Sequence, residues 1–184
     1  FSGTLTPNPE NADAYIEPIK LAKSIDADLI CMTDPDGDRV GLACKNRKGE
    51  YVLLTGNESA AILLDYIISE KLKKGEKLDN SVVYNTVVSS SLGAKICEHY
   101  GVRIESFLTG FKYIGDRIHH YETVGGPSFL FGYEESYGCL IKDFARDKDG
   151  IQAILLYCEM ALFYKKQGIT LDEAYANLAK TYGY

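Results

Sequence analysis

Residues 81–108 restrict the fold of this chain more than any other stretch: "SVVYNTVV" is followed by "SSLGAKICEHY" and then by "VRIESFL". The first run is uninterrupted, apolar and β-branched, the pattern of a strand covered on both faces, whereas the second spaces its apolar residues as a helix does. The third again has the composition of a strand. A helical connection of this length joins parallel strands, since antiparallel neighbours need only a short turn. The order predicts a β-α-β unit with residues 81–88 as a central parallel strand.

The same alternation runs through the rest of the chain. "ADLICMT" (27–33) reads as a short buried strand, and "RVGLAC" and "YVLL" flank "KNRKGE" as a hairpin. Thr55 and Glu58 have capping-box spacing ahead of a helix expected to reach about Lys73, and Thr170 and Glu173 repeat that spacing near the end. "TGFKYIGDRIHHY" is helical after two residues, "SFLFGY" is a strand, and "DGIQAILLYCEMALFYKKQG" is a helix closing on Gly168. Pro18 interrupts "NADAYIEPIKLAKSI", so that helix is expected to start or kink there.

Composition excludes several classes. The 20 basic and 26 acidic side chains leave a formal charge of -6, which argues against a nucleic-acid partner. The basic cluster "KLKKGEK" (71–77) suits a solvated helix C-terminus. No apolar run approaches the ~20 residues of a membrane span, and no secretion signal opens the chain, so a soluble cytoplasmic protein is expected. Five cysteines without CxxC spacing read as buried thiols rather than zinc ligands or disulfides. A first residue other than methionine adds the expectation that a longer polypeptide surrounds this sequence.

The polar loops fall where strands end, which is where open α/β sheets bind ligands. "TDPDGDR" sets Asp34, Asp36 and Asp38 at alternate positions. Two like charges ~4 Å apart repel by about 4 kcal/mol at an effective dielectric near 20, so converging carboxylates call for a cation, whereas splayed ones make an ordinary solvated turn. Oxygen donors select a hard ion, magnesium or calcium. An EF-hand is ruled out, because its glycine and glutamate positions counted from Asp34 hold Arg39 and Lys45. A dehalogenase-type phosphatase also carries DxD after a strand; here Arg39 follows Asp38 and no clear acidic pair follows a later strand.

"DPDGDR" resembles the magnesium loop of the α-D-phosphohexomutases, written DGDGDR in much of that family, and its proline variant is similar to the phosphoglucomutase branch of Gram-positive bacteria. "TGFKYIGDRI" (109–118), "FGYEESYG" (131–138) and "RDKDGIQAILLYCEM" (146–160) resemble three further family motifs in the family's order. "TPNPE", "YVLLTGNESAAILLDYI" and "LAKTYGY" extend the likeness over essentially the whole chain.

The resemblance implies an α/β, Rossmann-like three-layer domain at 49–184, with a mixed, mostly parallel sheet and helices on both faces. It would be preceded at 1–48 by the C-terminal part of a second similar domain. It implies Mg2+ held by Asp34, Asp36 and Asp38, with Arg39 steadying the phosphoryl group or shaping the loop. Thr109, Gly110 and Lys112 would line the cleft, Glu134 and Ser136 would hold adjacent sugar hydroxyls, and Lys148 would assist proton transfer. Tyr133 stands where many relatives have glycine.

The implied partners are glucose 1-phosphate, glucose 6-phosphate and glucose 1,6-bisphosphate, with mannose or pentose phosphates as alternatives within the superfamily. The family's serine loop and its fourth-domain phosphate loop are not in this sequence, and Ser89, Ser90 and Ser91 read as helix-capping residues. The chain by itself is therefore expected to lack turnover, its domains 1 and 4 belonging to the same polypeptide elsewhere. A noncatalytic module that binds metal or sugar phosphate is the reading from another class.

Overall fold

The computed structural model describes residues 6–183, so residues 1–5 of the expected domain 2 segment and Tyr184 lie outside it. A 3-10 turn, Ala12–Tyr15, leads into α1, Ile16–Ser24. Pro18 sits in the first turn of α1, where its missing N–H has no intrahelical partner to lose. Strands β1 (Leu29–Thr33), β2 (Val40–Lys45) and β3 (Tyr51–Leu54) then form an antiparallel sheet in sequential order. The β2–β3 hairpin spans the expected division at 48/49. The acidic loop is the link between β1 and β2, whose last pair is Thr33 with Val40.

Alternation along β2 separates two packing faces. Ala43 joins Tyr15, Ala22 and Ile30 under α1, while Val40, Leu42 and Cys44 face the main core. Filling that core is α2, Gly56–Lys73, which begins with the predicted capping box: Thr55 Oγ1 accepts from Glu58 N and Glu58 Oε2 from Thr55 N, at 3.3 and 2.7 Å. Residues Ser59–Ile68 of this helix are buried without a break, because it lies against strands of both sheets.

The second sheet has the order β5-β4-β6-β7 and contains β4 (Ser81–Thr86), β5 (Arg103–Phe107), β6 (Ser128–Tyr133) and β7 (Cys139–Leu140). Strand β4 is central and parallel to both β5 and β6, and only β7 is antiparallel. Two helical crossovers, α3 (Leu92–Tyr100) and α4 (Lys112–Val124), connect the parallel strands. Val82 and Tyr84 pack on Ile114 and Ile118 of α4, whereas Val83 faces Leu64 of α2 and Ile96 of α3. This is the expected mixed, mostly parallel sheet between helical layers. The chain ends with α5 (Gly150–Lys166), after which Gly168 takes the left-handed conformation, and α6 (Leu171–Tyr182).

Two local expectations need correction, and a third is narrowed. Strand β4 stops at Thr86, and Val87 and Val88 are exposed, because the chain turns there with Ser89 N donating to Thr86 O. Of the three serines expected to cap α3, Ser90 does so, accepting from Leu92 N at 3.1 Å. The thiols are not uniformly buried: Cys44, Cys97 and Cys139 are, Cys31 is half-buried and Cys158 is exposed. Burial and the neighbouring Cys158 thiol push Cys31 up to about 12.

A buried carboxylate ties three helices together. Asp65 of α2 accepts from Tyr100 OH of α3 at 3.1 Å and from Tyr182 OH of α6 at 2.7 Å. Replacing Asp65 with alanine strands two half-buried hydroxyls and should cost about 2–3 kcal/mol in urea unfolding, with Asp65→Asn costing less because it keeps an acceptor.

Candidate functional site

The acidic loop converges rather than splays. One carboxylate oxygen from each of Asp34, Asp36 and Asp38 can be chosen so that all three lie within 4.8 Å of one another; Asp34 is buried, Asp36 exposed and Asp38 half-buried. The turn is made by Gly37, whose φ is +74° and whose N–H reaches Asp34 O at 3.2 Å. Arg39 then folds back, donating from Nε to Asp34 Oδ2 at 2.7 Å and from its backbone N–H to Asp34 Oδ1 at 3.1 Å. Its Nη1 also meets Glu10 at 3.2 Å. In this structure Arg39 is therefore committed to the shape of the loop.

Lys148 links this loop to the sheet-end loop after β6. Its Nζ lies 3.1 Å from Asp38, 3.0 Å from Asp147 and 3.6 Å from Glu134, and 5.3 Å from the centre of the Phe111 ring. The stem crosses Gly138, where a Cβ would come within 2.0 Å of Lys148 Cδ. Glu134 is 5% exposed, and its other oxygen accepts from Gly110 N at 2.9 Å. Gly110, with φ +118°, thus supplies a backbone donor at the end of β5. Backbone contacts complete the assembly: Gly150 N donates to Gly37 O at 3.0 Å, Val40 N to Tyr137 O at 2.8 Å, and Arg39 bridges Gly138 as an antiparallel pair.

Charge in this cluster is unbalanced. Two cations, Arg39 and Lys148, pair with Glu10, Asp34, Asp38, Glu134 and Asp147, and Asp36 adds a further carboxylate paired with neither. Burial works to raise Asp34, but the Arg39 hydrogen bonds hold it below the ordinary carboxylate value. For Asp38, burial together with the charges of Asp34 and Asp36 outweighs Lys148 and the result is a raised value. Burial opposes the Lys148 ammonium, yet Asp147 and Asp38 raise it above the ordinary lysine value, so it is charged at neutral pH. An all-oxygen donor set with surplus negative charge fits a hard divalent cation.

Not every expected residue joins the cluster. Thr109 and Lys112 are exposed, and the Lys112 ammonium rests 4.9 Å from the centre of the Tyr113 ring. Ser136 is half-buried beside Glu134 with no side-chain hydrogen bond among the described residues. Tyr133 fits because Gly93 on α3 leaves room: a Cβ there would lie 1.9 Å from the tyrosine oxygen, which accepts from Asn85 Nδ2 at 3.2 Å. The left-handed residue of this loop is Tyr137, with φ +70°. Glu10, Asp147, Gly138 and Gly150 join the cluster although none is an expected site residue; the glycine in "KDG" and the one closing "EESYG" are the signals the sequence carries for the last two.

A cavity of about 430 Å3 lies elsewhere, lined by Lys45, Arg47 and Lys165 among others. Each of those cations is already paired, with Asp26, Glu173 and Asp28 respectively, which separates it from the acidic cluster.

The family model described as phosphoglucomutase/phosphomannomutase, alpha/beta/alpha domain III, matches residues 55–182, and the one for domain II matches residues 1–49. The chain belongs to the phosphoglucomutase/phosphomannomutase family. It is 37% identical to a phosphoglucomutase of Staphylococcus epidermidis over 183 residues, 100% of this chain and 32% of the relative. Identity to the Staphylococcus aureus phosphoglucomutase is 33% over the same coverage. The chain thus spans about a third of the length of the curated relatives it matches. Among solved structures, parafusin, a phosphoglucomutase from Paramecium, superposes with a TM-score of 0.68 at 20% identity, covering 97% of this chain and 30% of that one. An N-acetylglucosamine-phosphate mutase of the α-D-phosphohexomutase superfamily gives 0.54 at 16%, covering 82% and 34%. At these identities the structural likenesses establish the fold of this family.

Proposed function

We propose that this chain is the section of an α-phosphoglucomutase that carries its metal loop and its sugar-recognition loop. The whole protein would interconvert glucose 1-phosphate and glucose 6-phosphate through glucose 1,6-bisphosphate. The observation that carries this reading is the Lys148 ammonium, set between Asp38 of one loop and Glu134 of the other and joining both to a single cleft. Residues 1–48 would complete a second domain begun upstream and 49–184 would form the third, with the phosphoserine and a final phosphate-binding domain in other parts of the polypeptide.

Asp34, Asp36 and Asp38 would hold Mg2+. Bound there, the ion would reduce the negative charge on the transferring phosphoryl group. Arg39 keeps Asp34 ionised and oriented. Glu134 would accept from one ring hydroxyl and Ser136 would bond its neighbour, a pairing suited to a diol. Lys148 would place a positive charge beside the reacting oxygens; as an ammonium it donates protons and does not act as a base.

The test is turnover by the full-length protein with magnesium, with glucose 6-phosphate formation coupled to nicotinamide reduction. Glucose 1-phosphate should be converted, mannose 1-phosphate more slowly, and residues 1–184 alone should convert neither. Absence of conversion of any hexose 1-phosphate by the full-length protein would overturn the reading.

A further inference from the structure

The loop after β6 places three polar residues in succession, and the middle one is left without a role by the sugar-binding account. Glu134 reaches towards Gly110 and Lys148. Glu135 reaches instead to the carboxyl end of β4, where its Oε2 accepts from Thr86 Oγ1 at 2.6 Å and from Ser89 Oγ at 3.3 Å. Thr86 is 1% exposed, and its hydroxyl also lies 3.0 Å from Ser89 Oγ. A carboxylate drawing two hydroxyls in a half-buried setting makes a stronger tie than a neutral hydrogen bond.

The backbone around Glu135 leaves the loop little freedom. A Cβ on Gly56, at the start of α2, would come within 2.1 Å of Glu135 O and 2.7 Å of Tyr137 N, so the loop rests directly on that helix. Its far end is fixed by Glu134 N to Gly138 O at 2.9 Å and by Val40 N to Tyr137 O. The acidic-loop side is thus held by backbone bonds, and the β4 side by the Glu135 carboxylate.

We propose that Glu135 is a positioning residue: by pinning the loop to Thr86 and Ser89 it fixes the spacing of Glu134 and Ser136 and thereby sets affinity for the sugar. The proposal rests on the phosphoglucomutase reading. The pinned geometry serves the bound sugar equally before and during phosphoryl transfer, so its loss acts on KM and leaves kcat nearly unchanged.

In the full-length protein, Glu135→Ala should raise KM for glucose 1-phosphate about tenfold or more with kcat within about threefold, as loss of a charge-assisted bond implies. Glu135→Gln keeps an acceptor and should recover most of the affinity. Adding Thr86→Val to Glu135→Ala should raise KM by less than Thr86→Val does in the parent, because the Thr86–Glu135 bond is already absent. Amide exchange of residues 134–138 reads the pin without turnover and should quicken in Glu135→Ala while the unfolding midpoint shows the variant folded. A folded Glu135→Ala protein with parental exchange in this loop, or with a parental KM, overturns the proposal. Failure of the unsubstituted protein to turn over hexose phosphate would instead sink the mutase reading, with the exchange measurement still deciding whether Glu135 pins the loop.

Discussion

On the proposed function, full-length protein carrying Asp36→Asn should fold normally and lose about 100-fold or more of the glucose 1-phosphate turnover, the loss expected when several kcal/mol of metal-derived stabilisation disappear. Asp36 separates function from folding better than its neighbours do. Asp34 is buried and accepts two bonds from Arg39, so changing it would disturb the loop itself. Asp38 is engaged by Lys148, and its loss would also release that side chain from the β2 side of the cleft. Asp36 is exposed, and its carboxylate contributes to the acidic cluster without holding the turn, which Gly37 and Arg39 make. Turnover and the unfolding midpoint should be measured on the same preparation. Unchanged turnover would show that these aspartates do not hold a catalytic ion.

What the sequence disclosed about this molecule follows the range of the forces involved. The capping box of Thr55 and Glu58 and the left-handed Gly168 depend on neighbours a few residues away, and both were readable from spacing alone. The extent of β4 was not, since Val87 and Val88 have strand composition and only the turn back to Thr86 expels them. Likewise, the cysteine pattern could not tell Cys158 on an exposed face of α5 from Cys97 within the core. At the candidate site, the alternating carboxylates marked Asp34, Asp36 and Asp38, while Glu134 and Lys148 were marked through the family resemblance. Their convergence needed contacts across more than 90 residues, as between Asp38 and Lys148. The partners of such contacts carry weak local signals: Glu10 in an irregular segment, Gly93 beneath Tyr133, and Glu135 next to a better-marked glutamate. Sequence therefore marked the groups proposed to carry chemistry more readily than the groups that aim them.

That distinction gives Gly150→Ala an effect larger than its single methyl group would indicate. Gly150 begins α5 two residues after Lys148, and its N–H donates to Gly37 O, so the helix start abuts the acidic loop. A Cβ at this position would lie 2.4 Å from Gly37 O, 3.2 Å from Gly37 C and 3.2 Å from Val40 Cγ2. The first two contacts are with backbone, which cannot swing aside as a flexible side chain does, and either the loop or the helix must shift. Overpacking of this kind costs about 1–3 kcal/mol, which urea unfolding would register. The displacement falls on the loop that contains Asp36 and Asp38, so if these aspartates hold the proposed ion, magnesium affinity measured by calorimetric titration of the full-length protein should fall about tenfold or more as the donors lose their spacing. Gly49→Ala supplies the contrast: Gly49 has φ +80° with open space around its Cα, and the substitution strains only the β2–β3 turn. It should lower stability while leaving magnesium affinity unchanged. Equal metal affinities in the two variants would show that the close approach of α5 to Gly37 does not shape the ion site.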